Sequence, residues 1–371
     1  MKWIVIGCGM IGQTHVRALQ TLGQEIALCD SVSENADQTG RAFGVSEIYT
    51  DYKKAVCQAD AQAAIVCSPN HLHAEQSIYA MTHGMDVLCE KPMADTSSQA
   101  RAILQAMEAT GRTLMIGYVL RAGTVLPRVK ELLDCGVLGR VWSARCVLAA
   151  PETLDDARST YRRSYETGGG ILYDYTHEID YIRYLLGEPQ KGVCFCGRLC
   201  RTAQSADDSA DSLLQWANGT VAHLHMDYLQ QDGRGRGRCF ELVCEKGFLS
   251  CDFKSIHVFY SDGHVLQETF PSDWDTPFAR QLQRFMDLCQ GKQVCCATGA
   301  DGVRVMEIAD ALYVSARGNC CADLSCGRSR KLPIGSERVF SVEAVETLLR
   351  LIAVCHIKEV ESCNIMRIRC V

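Results

Sequence analysis

The 371-residue chain lacks several features that mark particular classes of protein. It contains no Lys/Arg-rich run and has a formal net charge of −6, so nucleic acid is a poor candidate for its partner. No apolar run is long enough to span a bilayer, and we therefore expect no membrane partner. No charged-then-apolar leader with a cleavage site precedes the first strand pattern, which favours a cytoplasmic location over secretion.

Cysteine is the residue in excess, with 22 copies. A disulfide framework is typical of small secreted domains, and this chain is neither small nor visibly secreted. The tightest cluster, at Cys194, Cys196 and Cys200, lacks the two-residue spacing of zinc ribbons. We therefore expect free thiols that pack as small hydrophobic side chains, and no metal site.

A strand, a glycine turn and a helix open the chain. The apolar run KWIVI is followed by GCGMIG and then by apolar residues at helical spacing. In this context G-x-G-x-x-G is a strong signal, because Gly7 permits a tight turn, Gly9 lets a pyrophosphate approach and Gly12 lets the helix pack closely. We expect the helix to start at Met10 and Ile11, where its free backbone N–H groups would face the phosphates of the dinucleotide.

The acid expected to bind a ribose follows the second strand. The segment EIALC ends at Cys29, and Asp30 comes next, about 20 residues beyond the glycine turn as the dinucleotide fingerprint requires. A carboxylate accepts hydrogen bonds from both ribose hydroxyls and repels a 2′-phosphate, and no arginine follows directly. The sequence therefore predicts NAD, with NADP the less favoured cofactor; a solvated acid at a strand end is the alternative.

Strands and helices continue to alternate up to residue 122, which predicts a doubly wound parallel sheet of the α/β class. Ligands of such sheets lie beyond the carboxyl ends of the strands. The residues that follow predicted strands there are Ser68, Pro69, Asn70, Glu90, Lys91, Pro92, Gly117 and Tyr118. Charged residues directly after a buried strand indicate a function for Lys91, the alternative being a surface ion pair with Glu90.

Three segments resemble the glucose–fructose oxidoreductase / inositol dehydrogenase (Gfo/Idh/MocA) family: GCGMIGQTHVRAL, VCSPNHLHAEQSIYAMTHGMDVLCEKPMA and GGGILYDYTHEIDYIRYLLG. The resemblance runs from residue 1 to about residue 318, and the triplet at 90–92 is the family's hallmark. It implies a Rossmann domain followed by an α+β domain with an open, mainly antiparallel sheet. It also implies an NAD(P)-dependent oxidoreductase that acts on a hydroxyl or keto carbon of a sugar, cyclitol or sugar conjugate.

The second half agrees with this division by its own pattern. From about residue 141, strand-like segments alternate with hairpin signals such as Asn218-Gly219 and Asp262-Gly263. The open sheet face predicts a homodimer or homotetramer. We predict an NAD-binding Rossmann domain over 1–122, a substrate-binding and oligomerisation domain over 123–318, and a C-terminal extension over 319–371 with an amphipathic helix at 341–360.

The segment after the glycines at 168–170 predicts one helix that ends at Gly187 and carries Asp174 and His177 on one face. A carboxylate one turn away can orient or charge-tune an imidazole. The commonest family pattern places these two residues four apart, whereas here they are three apart. One missing residue rotates the pair by about 100° on a helix.

The resemblance assigns the chemistry to Lys91, His177 and Asp174. For the oxidation of an alcohol we predict His177 as the general base, Lys91 as the donor that stabilises the developing alkoxide, and Asp174 as the group that orients His177 or holds a neighbouring hydroxyl. Cofactor contacts are predicted for Gly7, Gly9, Met10, Ile11, Gly12, Asp30, Ser68, Asn70, His73, Glu90 and Lys91. Weaker candidates for substrate contact are Tyr118, Arg121 and Arg163.

Two other functions stay open from the sequence. One is an NAD-dependent glycoside-processing enzyme, which oxidises a hydroxyl transiently, breaks the glycosidic bond by elimination and releases no net NADH. The other is a non-catalytic NAD-binding regulator. A regulator predicts loss of the catalytic residues, whereas Lys91 and His177 are both present.

Overall fold

The computed structural model describes residues 1–149, 162–199, 205–229, 237–271 and 273–325. All of them belong to one compact unit, Met1–Arg328. The predicted amphipathic helix at 341–360 lies outside the described residues, as does the rest of the C-terminal extension beyond 325.

The first half forms the predicted doubly wound α/β sheet. Its strands are Lys2–Ile6 (β1), Glu25–Cys29 (β2), Ile48–Tyr49 (β3), Ala63–Val66 (β4), Asp86–Cys89 (β5) and Leu114–Ile116 (β6). Its helices are Met10–Thr21 (α1), Ser33–Phe43 (α2), Tyr52–Gln58 (α3), His73–Thr82 (α4) and Ser97–Thr110 (α5). All pairings are parallel in the order β3-β2-β1-β4-β5-β6, so the sequence order reverses between β1 and β4.

Both faces of this sheet are covered, because its strands are apolar on both sides. Ile4 and Ile6 belong to one buried cluster, whereas Trp3 and Val5 belong to another on the opposite face. The carboxyl ends of β1, β2, β4, β5 and β6 therefore meet at one edge, which is where a nucleotide is expected to bind.

The described residues of the second half form a nine-stranded sheet, and among their pairings only β7–β10 is parallel. Its strands are Val141–Ala149 (β7), Lys191–Gly197 (β8), Ser209–Gln215 (β9), Val221–Asp227 (β10), Gly237–Cys244 (β11), Gly247–Cys251 (β12), Ser255–Tyr260 (β13), Val265–Thr269 (β14) and Ala322–Asp323 (β15). The remaining helices are Val125–Asp134 (α6), Ile171–Asp174 (α7), Thr176–Leu186 (α8), Asp275–Cys289 (α9) and Gly299–Gly318 (α10). The predicted α+β architecture is confirmed.

The prediction of one uninterrupted helix up to Gly187 is wrong. The chain leaves the helical conformation at Tyr175, with φ −95° and ψ 38°, and this residue separates α7 from α8. Asp174 is consequently the last residue of α7, where backbone carbonyls lack partners within the helix and accept hydrogen bonds from elsewhere.

Helix α9 returns to the first sheet. Its residues Phe278, Leu282 and Phe285 are buried in the same cluster as Trp3 and Val5. A segment placed by sequence in the second domain therefore contributes to the core of the first, while the exact division at 122 and 318 stays a prediction.

Three further features concern what the described residues contain. None of their helices combines the length and apolar character that a bilayer crossing needs. Their cysteines are free thiols, several of them fully buried, such as Cys29, Cys89 and Cys146. The described part of the chain holds no group of three or more His, Cys, Asp or Glu side chains arranged to bind a metal ion.

Candidate active site

The glycine turn between β1 and α1 has the geometry that each glycine was predicted to allow. Gly7 has φ +101°, and a Cβ at Gly12 would lie 1.9 Å from the carbonyl oxygen of Gly7. Gly9 faces open space, with no atom within 4 Å of the place a Cβ would occupy. The exposed side chain of Met10 follows at the helix start. The turn therefore has room for a pyrophosphate group above its backbone N–H groups.

Asp30 is fixed beside this turn. One carboxylate oxygen accepts a hydrogen bond from the backbone N–H of Cys8 at 2.8 Å, and the other accepts from the N–H of Val32 at 2.9 Å. The carboxylate thus lies at the carboxyl end of β2 with its orientation set by the turn itself. These residues fit a dinucleotide whose adenine ribose lies near Asp30.

Glu90 links three parts of the site. Its Oε1 lies 2.7 Å from Nε2 of the fully buried His15 on α1, and its Oε2 accepts a hydrogen bond from the backbone N–H of Lys91 at 3.1 Å. A Cβ at Gly117 would lie 2.7 Å from the Glu90 carboxyl group. Glu90 therefore ties the glycine-turn helix to the ends of β5 and β6. The role of His15 was not predicted, because the 75 residues that separate it from Glu90 leave no local signal.

The residues after β4 bind the neighbouring loops. Both ring nitrogens of buried His73 lie 2.7 Å from carbonyl oxygens, those of Ser68 and Pro92. A neutral imidazole donates to only one of them at a time. The Asn70 side chain donates to the carbonyl of Gly168 at 2.7 Å. The end of β4 is thereby joined both to the Lys91 loop and to the triple glycine.

Lys91 points across the site to Asp174. The Lys91–Pro92 peptide bond is cis, and the ammonium nitrogen donates to the backbone carbonyl of Asp174 at 2.7 Å and to its Oδ1 at 3.4 Å. The alternative of a surface ion pair with Glu90 is not what the structure shows, since the Glu90 carboxylate is held by His15 and by backbone. The Lys91 side chain keeps 20% of its surface exposed, which leaves it accessible to a ligand.

Asp174 is buried among hydrogen-bond donors. Its Oδ2 accepts from the hydroxyl of Tyr228 at 2.8 Å and lies 3.1 Å from Nε of Arg162. Burial by itself would raise the pKa of this carboxyl, but Lys91, Arg162 and Tyr228 together hold the pKa below its usual value. Asp174 is therefore an ionised anchor for the ammonium, and Tyr228 is one of its hydrogen-bond partners.

His177 lies near Lys91 in the described structure. Its ring meets the ring of Tyr118 edge-on at 5.6 Å, and no hydrogen bond joins it to Asp174 in the described structure. Burial, followed by the charges of Arg238 and Lys91, lowers the pKa of His177 well below its usual value. Among the described residues its buried Nδ1 has no hydrogen-bond partner. The imidazole is therefore neutral at neutral pH.

The weaker substrate candidates have different surroundings. Arg121 is buried, and its guanidinium donates to the Asp180 carboxylate at 2.7 and 2.9 Å and to Asp301 at 3.3 Å. This network favours a structural role for Arg121 over a substrate contact. Tyr118 is buried against His177. The Nε of Arg163 is buried without a partner among the described residues, so its role as a substrate contact stays a prediction.

Comparison with known families identifies both halves of the chain. Residues 1–118 match the family described as the oxidoreductase family with an NAD-binding Rossmann fold. Residues 127–250 match the GFO/IDH/MocA C-terminal domain. The two matches together cover more than half of the chain and follow the two sheets seen in the structure.

Individual proteins agree with these matches. An inositol 2-dehydrogenase of Streptomyces avermitilis is 28% identical over 322 residues, which are 83% of this chain and 89% of the relative. A levoglucosan dehydrogenase in complex with NADH and levoglucosan has a TM-score of 0.78 at 22% identity and covers 87% of this chain and 98% of its own. An oxidoreductase of Agrobacterium radiobacter in complex with NAD+, L-tartaric acid and magnesium has the same TM-score at 20% identity and the same coverage of both chains.

The two structural neighbours share the fold of this chain. The chain is an NAD-binding oxidoreductase that belongs to the Gfo/Idh/MocA family.

Proposed function

We propose that this protein transfers a hydride between NAD and a CH–OH or keto carbon of a sugar, a cyclitol or a sugar conjugate. The observation that carries the proposal is the convergence of the Lys91 ammonium, ionised Asp174 and neutral His177 beyond the carboxyl end of β5. The nicotinamide, when bound, supplies the hydride acceptor or donor. The protein must then move the hydroxyl proton.

His177 and Lys91 divide this task. His177 accepts the hydroxyl proton during oxidation, because its imidazole is neutral before the substrate reacts. Lys91 donates a hydrogen bond to the same oxygen and stabilises the negative charge that develops there. Asp174 holds the Lys91 ammonium through both its carbonyl and its carboxylate, so that the donor is in place before the substrate binds.

The relatives support a polyhydroxylated substrate. An inositol 2-dehydrogenase that matches along most of its length acts on a cyclitol, as its name states, and a levoglucosan dehydrogenase of the same fold was solved with levoglucosan. Asp30 supports NAD over NADP, because its fixed carboxylate would repel a 2′-phosphate.

We also infer a homo-oligomer formed through the open face of the second sheet. Val243, Phe248, Phe259 and Val265 lie side by side on neighbouring strands of that face, and three of them are exposed. An apolar stripe of this kind favours contact with another protein surface. Sedimentation at micromolar concentration should show a dimer or tetramer, and a purely monomeric profile would contradict the inference.

The test of the proposed function is NADH absorbance with a panel of hexoses, inositols, uronates and glycosides. The proposal expects one class to yield NADH, with NADP a poorer acceptor. If a glycoside is consumed in the presence of NAD without net NADH, transient oxidation followed by elimination replaces net oxidation as the function. If NAD binds and no member of a broad panel is consumed, the hypothesis of a non-catalytic NAD-binding regulator is favoured instead.

A further inference from the structure

A second buried carboxylate lies behind the triple glycine, outside the group formed by Lys91, Asp174 and His177. Asp207 is only 4% exposed and precedes β9. Its Oδ1 accepts hydrogen bonds from the hydroxyls of Tyr165 at 2.6 Å and Tyr313 at 3.0 Å. Its Oδ2 accepts from the backbone N–H of Ile171 at 3.3 Å. The proposed proton transfer uses none of these groups.

These contacts supply the N-terminus of α7 with the acceptors that it lacks. The residue before the helix, Gly170, has no side chain with which to cap it. Asp207 accepts from the N–H of Ile171, and the Tyr313 hydroxyl accepts from the N–H of Leu172 at 3.2 Å. Free N–H groups at a helix start need such partners, and a carboxylate there is favourable. Tyr313 thus donates to Asp207 and accepts from α7 with one oxygen.

The packing leaves little freedom at this point. Gly170 has φ +119°, and a Cβ there would lie 2.5 Å from the Tyr313 hydroxyl and 3.2 Å from Oδ1 of Asp207. Helix α7 is a single turn that begins against this pair and ends at Asp174, the residue that holds Lys91. A shift of the start of α7 would therefore also move Asp174, the residue to which Lys91 is hydrogen-bonded.

We propose that Asp207 and Tyr313 are positioning residues for the reaction, which set the place of Asp174, and through it of Lys91, by capping α7 from outside the active site. This inference rests on the proposed function, because it presumes that Lys91 acts in catalysis. Neither residue contacts the reacting atoms in this account; both act through α7.

The chain offers a matched pair of variants to test this. Tyr313→Phe and Tyr165→Phe each remove one hydroxyl that donates to Asp207, but only Tyr313 also bonds to α7. We expect Tyr313→Phe to lower kcat about tenfold, with the KM for NAD close to that of Tyr165→Phe. We expect Tyr165→Phe to keep kcat within about twofold of the unmodified protein.

The pH dependence of kcat/KM distinguishes a positioning role from a merely structural one, because a loss of stability alone does not shift it. Lys91, Arg162 and Tyr228 face Asp174 and hold its pKa low. If α7 is displaced, these contacts weaken and the pKa of Asp174 rises. The acid limb of the kcat/KM profile should therefore move to higher pH in Tyr313→Phe and stay in place in Tyr165→Phe. Equal profiles and equal kcat for the two variants would overturn the inference. Should Tyr313→Phe fail to fold, Asp207→Asn takes its place in the same comparison. If Lys91→Met keeps full activity, the proposed function itself fails, which is a separate result.

Discussion

The ammonium nitrogen of Lys91 lies 2.7 Å from the backbone carbonyl oxygen of Asp174, the last residue of α7. The C-terminus of a helix carries partial negative charge, and the Asp174 carboxylate adds a full one. The helix break at Tyr175 creates this arrangement, since it ends α7 where the ammonium can reach the carbonyl. The three-residue spacing of Asp174 and His177 is thus compatible with a working site in which Asp174 serves Lys91.

The first prediction concerns cofactor choice. Asp30→Asn keeps an oxygen that can accept from the Cys8 N–H but removes the charge that opposes a 2′-phosphate. We expect the ratio of kcat/KM for NAD to that for NADP to fall about tenfold. Steady-state kinetics with both cofactors measures it, and Asp37→Ala, which removes an exposed acid on α2, is the control. An unchanged ratio would show that Asp30 does not select the cofactor.

The second prediction concerns pH. Tyr228→Phe removes one of the donors that hold the pKa of Asp174 below its usual value. The carboxyl then takes up a proton at higher pH, so the acid limb of kcat/KM moves upward, by about half a unit to one unit. Tyr49→Phe, which removes a hydroxyl from Glu47 at the rim of the first sheet, should leave the limb in place. If the acid limb of kcat/KM does not move in Tyr228→Phe, the ionisation of Asp174 does not govern activity.

The third prediction concerns stability. Arg121→Met leaves Asp180 buried without its guanidinium partner and should lower the free energy of unfolding by about 3–5 kcal/mol near neutral pH. Burial already raises the pKa of Asp180 to about 6, and loss of the arginine raises it further. The folded variant therefore gains protons as pH falls, and its deficit in urea unfolding should shrink at pH 5 relative to pH 8.

The unfolding experiment also separates the two roles considered for Arg121. A structural arginine predicts a large loss of stability with little change in substrate KM for the protein that remains folded. A large rise in substrate KM with unchanged unfolding would instead make Arg121 a substrate contact. Adding Asp180→Leu to Arg121→Met should recover part of the stability, because no uncompensated buried charge then remains.

The sequence predicted those parts of the site that depend on the spacing of residues close together in the chain. The glycine turn, Asp30 and Lys91 lie directly at strand ends, and the alternation of strands and helices places strand ends along one edge. The sequence did not predict the break between α7 and α8 at Tyr175, because tertiary contacts there outweigh the helical periodicity. The sequence also did not predict the hydrogen bonds that Asp174 accepts, because Tyr228 and Lys91 lie 54 and 83 residues away along the chain.

The most direct test of the central claim is the rate of NADH formation by Lys91→Met with the substrate found in the panel, measured together with NAD affinity. Lys53→Met, which removes an exposed lysine on α3, is the control. We expect a loss of kcat of at least about 100-fold in Lys91→Met, with the Kd for NAD changed by no more than about threefold. A variant that binds NAD normally and forms NADH at the unmodified rate would contradict the assignment of Lys91 to the chemistry.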